Sequence, residues 1–309
     1  MNGIILHAYD ASPFTQKALR MLGLKRLAWQ WVETPMLPPK DDLVALTGGY
    51  RGTPVMQIGA DVYIDSQRIA AELEQRHPAP TLFPGGDAGQ GWMLVKWSEA
   101  FFRTGLAISV HLLGSQWPAE FAADRRQLFP DFDFDGALRD STHAQTQFRV
   151  HAGWLDRQLR ARGPFLTGAA PGLADIQAHV FVWMARAYFP ELAQRLLDGF
   201  DMLPAWEAAM ADIGEGQRQR LDAAAALAIA RDAEPRPPDG NAVDAGDPLG
   251  LQAGDLVDVS PDDTRRGGVR GVLTALSWEG VSVRRRDPRC GEVGVHFPRL
   301  GYRVVRAQA

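Results

Sequence analysis

The chain has 309 residues, 46% of them hydrophobic and 23% charged, with a formal net charge of −4. This length allows one to three domains that each bury a core, and the slightly acidic balance lacks the electrostatic footprint of a nucleic-acid binder. A single cysteine, Cys290, rules out an intrachain disulfide and fits a reducing compartment, and no apolar run approaches the roughly 20 residues of a membrane span.

Met1 to His7 has no basic region and only a short apolar run, so it is not read as a secretion signal and a cytoplasmic chain is expected. Ile4 to Tyr9 predicts a first strand. Ser12 then serves as an N-cap and Pro13 as a first helical residue. The helix that follows carries Phe14, Ala18 and Leu22 on one side, Gln16, Lys17 and Arg20 on the other, and ends near Gly23. Leu27 to Val32 predicts a second strand, parallel to the first through a right-handed crossover. A Pro-rich connection with a short helix near Asp41 to Leu46 leads to Arg51-Gly52-Thr53-Pro54. Val55 to Ile58 and Val62 to Ile64, joined at Gly59, read as a β-hairpin opened by Pro54, a candidate cis peptide. Asp65-Ser66 begins another helix, whose unpaired first-turn N–H groups favour a bound carboxylate.

Strand–helix–strand, helix, hairpin, helix is the thioredoxin-like order. A strand-opening X-Pro followed by a hairpin and an acid–Ser pair resembles the glutathione site of the glutathione S-transferase family. The resemblance implies that Thr53 and Pro54 hold the cysteinyl part of glutathione through the backbone. It also implies that Asp65 and Ser66 hold the γ-glutamyl amine and carboxylate. Thr53 departs from the more usual Val, a change that a backbone contact survives. Ser12-Pro13-Phe14 matches the family's Ser- or Cys-Pro-Phe/Tyr segment, whose first residue is catalytic. With Ser rather than Cys at this position, conjugation is favoured over disulfide exchange through an enzyme thiol.

The chemistry needs the glutathione sulfur as thiolate. A helix N-terminus supplies up to about 2 kcal/mol, and a hydroxyl hydrogen bond to a charged acceptor about 1.5–3 kcal/mol. Together they cover the roughly 2.7 kcal/mol that lowers a thiol pKa by about two units. Ser12 is therefore the expected thiolate stabiliser, with an N-cap as its structural alternative. Tyr9, at the end of the first strand, is the rival. Lys40 is either a contact for the glycyl carboxylate or a solvated lysine. His7, His111, His179 and His296 have no ligand spacing, so no metal site is expected.

After a turn-rich linker at Thr81 to Gly86, helical spacing returns with Trp92, Val95, Trp97, Phe101, Phe102 and Leu106. The first bundle helix, with Phe102 and Arg103, lines the second-substrate pocket in the family, although most of its aromatics read as core. A helix over 142–162 follows. Ile176 to Phe189 is apolar nearly all round and predicts a buried central helix. The family's Ser/Thr-x-x-Asp capping box is half present at its start, with Gly172 in place of the hydroxyl and Asp175 retained, which predicts a weaker helix start by up to about 1 kcal/mol. Helix is expected to continue to about Asp232, and Glu234 to Pro248 reads as a linker.

The tail changes character: five short apolar runs between turns predict a small SH3-like β-barrel outside the family pattern. It holds ten Arg and seven acids, and the run Arg284-Arg285-Arg286 with Arg289, a candidate phosphate-binding patch short of interleaved aromatics, reads rather as a solvated strand or a contact to the helical domain. Three domains are expected: thioredoxin-like at 1–82, an all-helical bundle at 88–232, and a β-barrel at 250–309. The resemblance implies a transferase, often associated with detoxification, that uses glutathione as co-substrate on a small electrophile and forms a homodimer. The alternative is a non-catalytic binding or assembly module whose β-barrel takes a partner.

Overall fold

In the computed structural model, Ile4–Ala8 (β1), Pro13–Leu24 (α1) and Ala28–Glu33 (β2) form the strand–helix–strand unit, with β1 parallel to β2. The structure describes residues 3–86, 88–237, 242–264 and 266–308, so part of the linker expected at 234–248 lies outside the described residues. Asp41–Thr47 (α2) precedes the hairpin Val55–Ile58 (β3) and Asp61–Ile64 (β4), and Ser66–Arg76 (α3) follows it. β3 runs antiparallel to both β1 and β4. The Thr53–Pro54 peptide is cis.

Helices α4 (Ala88–Leu113), α5 (Ala119–Leu128), α6 (Phe134–Arg139), α7 (Thr142–Arg162), α8 (Leu173–Tyr188), α9 (Pro190–Leu197) and α10 (Leu203–Asp212) build the second unit. α8 is buried over most of its length, as its all-round apolar character predicts. The half-present cap has a packing reason. A Cβ on Gly172 would lie 2.6 Å from Pro84 Cδ and 2.8 Å from the Leu82 carbonyl oxygen. That close linker also accepts the Leu173 N–H at 2.7 Å, so an orphan donor of the first turn is satisfied without a hydroxyl. Asp175 accepts the N–H groups of Leu166 and Gly172 and the Trp206 indole N–H.

The expected unbroken helix to Asp232 is not found. Glycines at positive φ, Gly214 and Gly216, end it, and Gln217–Arg220 (β5) pairs in parallel with β2 before Ala223–Arg231 (α11). The polar sequence Gln-Arg-Gln-Arg carries no alternating apolar signal. Its strand character comes from the open edge of β2, not from its own side chains.

The five strands of the tail are Leu256–Pro261 (β6), Val269–Leu276 (β7), Gly280–Asp287 (β8), Gly291–Pro298 (β9) and Tyr302–Arg306 (β10). They form an antiparallel meander closed by β10 returning to β6. They do not stand apart from the first unit. β9 pairs in parallel with β4, Asp61 opposite Gly294 and Val62 opposite Val295. One sheet therefore runs in the order β10-β6-β7-β8-β9-β4-β3-β1-β2-β5. Side chains alternate across a strand, and both faces of the hairpin are covered. Met56, Ile58 and Tyr63 join the core beneath α1 and the helices, whereas Val55, Val62 and Ile64 join a second core with Leu43, Leu46, Leu227 and the tail's Val257, Val283, Val295 and Phe297.

Polar contacts reinforce the seam. His296 Nε2 lies 2.9 Å from Asp61 Oδ1, and its Nδ1 lies 2.8 Å from Ser282 Oγ. Arg285 donates to the Ala45 carbonyl at 2.5 Å, Arg289 pairs with Asp42, and the buried Cys290 thiol donates to the Ala45 carbonyl at 3.3 Å. Of the arginine run, Arg286 is exposed, Arg284 pairs with Glu292 within the tail, and Arg285 turns to the first unit instead of the helical one. Two of its neighbourhood's guanidinium groups grip α2 of the first unit.

Candidate functional site

Two adjoining cavities lie where α1 begins, between the hairpin, α4 and the tail. They bring all the sequence-predicted site residues together. The first, about 330 Å³, is lined by Tyr9, Ser12, Phe14, Lys40 and Thr53 among others. The second, about 320 Å³, is lined by Phe14, Thr53, Pro54, Asp65 and Ser66. Phe14, Thr53, Phe102, Leu106, Phe129 and Arg266 face both.

Ser12 is the N-cap of α1 and is 4% exposed. Its Oγ accepts the Thr15 N–H at 3.3 Å, which uses a lone pair and leaves the hydroxyl hydrogen free to donate. Tyr9 lines the same cavity, with the Lys40 ammonium 5.4 Å from its ring centroid. Tyr188 closes the far wall, its hydroxyl donating to the Ala11 carbonyl. The remaining walls are aromatic: Phe14 packs on Phe102 at 5.3 Å, and Trp117 meets Phe121 edge-on at 5.1 Å.

Lys40 is buried, at 7% exposure, so the solvated reading does not hold. Burial lowers its pKa to about 8, helped by Arg125 and Arg51 and opposed by Asp124. Arg51 and Arg125 both pair with Asp124, at 2.7 and 2.6 Å. Lys40 itself makes no hydrogen bond or ion pair among the described residues. This end of the cavity therefore carries a surplus of positive charge suited to an incoming anion.

At the other end, Asp65 caps α3. Its Oδ1 accepts the Gln67 N–H at 2.9 Å and its Oδ2 accepts the Tyr302 hydroxyl at 3.2 Å. Its backbone sits at φ 74° and ψ 141°, a conformation that residues other than glycine rarely adopt and that concentrates at functional sites. The tail supplies the facing wall through Asp262, Asp263, Thr264, Arg266, Gly301 and Tyr302. Tyr50 lines the same cavity as Tyr302 and Arg266, and burial raises the pKa of each tyrosine, keeping both neutral. Burial opposes the charge on Arg266, but the neighbouring acids Asp65 and Asp263 favour it, and the guanidinium stays charged.

Sequence reasoning missed four contributors to this site. Arg266 and Tyr302 belong to a segment read as a separate barrel, and nothing local in their sequence points toward α3. Lys17 was read on the polar side of α1 but is 2% exposed and lines the second cavity. Gln177 had a usable signal: it is an amide within an otherwise apolar helix, and it is 1% exposed at the same cavity.

Among the described residues, no group of three or more His, Cys, Asp and Glu could hold a metal ion, and no helix is long and apolar enough to cross a membrane.

The family model "Glutathione S-transferase, N-terminal domain" matches residues 6–81. Comparison with curated protein sequences found no match. Among solved structures, a GST-like protein from Pseudomonas syringae is 34% identical, covering 99% of this chain and 100% of that one, with a TM-score of 0.79. A glutathione S-transferase from Rhodospirillum rubrum F11 is 18% identical over 68% of this chain and 87% of its own, with a TM-score of 0.51. The Tau class glutathione S-transferase of mango, Mangifera indica, is 14% identical over 69% and 92%, with a TM-score of 0.51, a likeness of fold alone. The end-to-end match with the Pseudomonas protein takes in the β-rich tail, so the added strands are shared with that chain.

Proposed function

The chain belongs to the glutathione S-transferase family, and from that premise we propose that it binds glutathione across the two cavities and attacks a small electrophile with the bound thiolate. The observation that carries this reading is the state of Ser12. Its hydroxyl hydrogen is uncommitted, it sits at a helix N-terminus, and it faces the cavity that Thr53 links to Asp65 and Ser66.

In this reading Asp65 and Ser66 hold the γ-glutamyl group, the backbone at Thr53 holds the cysteinyl unit, and Lys40 meets the glycyl carboxylate. The Ser12 hydroxyl and the α1 N-terminus favour the charged sulfur. The thiol proton leaves to solvent, sulfur forms a bond to the electrophilic carbon, and the leaving group departs with its electron pair. The second substrate rests against Phe102, Leu106, Trp117 and Phe129. The tail acts as a wall of the γ-glutamyl pocket. For assembly the reading takes a homodimer, and exposed Met93, Val150 and Trp154 on α4 and α7 are apolar surface available for it.

Calorimetry with glutathione tests binding. Saturable binding that weakens in Asp65→Ala and Ser66→Ala supports the reading, whereas no binding at millimolar ligand makes the chain a non-catalytic module. The absorbance of bound thiolate against pH then tests Ser12. Loss of a hydrogen bond of about 1.5–3 kcal/mol should raise the bound thiol pKa by about 1–2 units in Ser12→Ala. An unchanged value would move the role to Tyr9.

A further inference from the structure

Two polar groups at the floor of the second cavity have no partner. Lys17, on α1, is 2% exposed and makes no hydrogen bond or ion pair among the described residues. Gln177, on α8, is 1% exposed, and its Oε1 has no hydrogen-bond partner. Both line the cavity that holds Asp65 and Ser66. A buried ammonium without an acceptor and a buried amide oxygen without a donor are each costly, and a well-packed methionine and leucine would serve a purely structural floor better.

The surrounding acids do not relieve Lys17. Asp65 and Glu99 face it, with Lys96 opposing. Glu99 is already paired with Lys96 at 2.6 Å. The two oxygens of Asp65 accept from Gln67 and Tyr302. Burial accordingly lowers the Lys17 pKa to about 8. The floor thus presents one free donor and one free acceptor beside the first turn of α3, an 11-residue helix whose Ser66 and Gln67 line the same cavity.

We propose that Lys17 and Gln177 form the specificity floor of the site and bind the α-amino acid head of the ligand. Lys17 and the α3 N-terminus take its carboxylate, and Gln177 with Asp65 takes its ammonium. This rests on the glutathione reading above and adds to it the residues that select a zwitterionic head-group over a simple acyl chain.

The test is calorimetry on the full chain with three ligands whose sulfur is blocked: S-methylglutathione, its analogue lacking the α-carboxylate, and its analogue lacking the α-amine. The wild type should bind each truncated analogue about ten- to a hundredfold more weakly than the parent, the range of a charge-assisted hydrogen bond. Lys17→Met should weaken the parent several-fold or more and shrink its advantage over the decarboxylated analogue, the α3 N-terminus keeping the remainder. Lys17→Arg should restore most of the discrimination, and Gln177→Leu should shrink discrimination against the deaminated analogue only, Asp65 keeping the remainder. Lys17→Gln, neutral and polar, replaces the Met variant should that variant fail to fold. If neutral variants at 17 still reject the decarboxylated analogue by the full factor, the proposal is overturned and the glutathione reading stands. If the wild type does not bind S-methylglutathione, both fall.

Discussion

Asp65 is held at φ 74°, ψ 141° while its side chain caps α3 and accepts from Tyr302, so strain and stabilisation can be separated by two substitutions. A residue other than glycine in such a conformation costs about 1–3 kcal/mol. Asp65→Ala keeps that cost and loses both the cap, about 1 kcal/mol, and the Tyr302 bond to a carboxylate, about 1.5–3 kcal/mol. It should destabilise the protein by about 3 kcal/mol. Asp65→Gly loses the same Tyr302 bond and only a few tenths of a kcal/mol at the cap, but relieves the backbone. Against this relief stands about 0.4–1 kcal/mol for the freer unfolded glycine chain. The glycine variant should therefore be about 1–2 kcal/mol more stable than the alanine variant, read from denaturant unfolding extrapolated to water. Both should lose glutathione affinity, so the glycine variant gains stability relative to alanine with no return of binding. Equal stabilities would show that the backbone at 65 stores no strain. Retained binding in both would remove the acid from the site.

Restoring a hydroxyl to the α8 cap should harm the protein. In Gly172→Ser the Cβ meets Pro84 and the Leu82 carbonyl below 3 Å, and overpacking of about 1–3 kcal/mol outweighs a cap worth about 1 kcal/mol; a rise in melting temperature would contradict this. Truncation after residue 237 should leave an insoluble or unfolded product. Exposing Leu43, Leu46, Val55, Val62 and Ile64 at about 1.5–3 kcal/mol each forfeits about 8–15 kcal/mol, the whole stability of a typical domain. A cooperative melt from the truncated chain would refute the shared core. Stability should also fall in acid. Burial lowers the pKa of His7 and of His179 to about 4, so the unfolded chain takes up protons first. The contribution of each, of the order of 3 kcal/mol, is complete above pH ~6.5 and is lost as pH falls toward ~4. His179→Phe, which keeps the edge-on contact to Trp206, should flatten the acid limb of the denaturation profile; an unchanged limb would count against a neutral buried imidazole.

The first unit and the five tail strands were legible because their signals are local. Alternating apolar residues, turn glycines and a strand-opening proline each act within a few residues, as at Val55 to Ile64. The join between β4 and β9 was not legible, since a parallel pairing across some 230 residues leaves no turn to mark it. The Ser12, Asp65 and Ser66 positions could be read from capping chemistry. Lys17 could not: its spacing places it on the polar side of α1, and only the packing of α1 against α8 and α3 turns that side into a cavity floor. β5 escaped for a related reason, because its strand state is imposed by a neighbour.

Sealing β4 beneath β9 moves the rims of the sheet outward to β5 and β10. Both new rims are guarded by guanidinium groups. β5 carries Arg218 and Arg220, with Arg218 lying 3.7 Å over the Trp31 ring, and β10 carries Arg303 and Arg306. Unpaired backbone along a rim invites another strand, and charged side chains there resist the desolvation that such pairing needs. The span of ten strands thus ends on two charged hems, with Arg218 held by Asp10 and Arg306 by Asp255, that discourage the molecule from extending itself into a fibre.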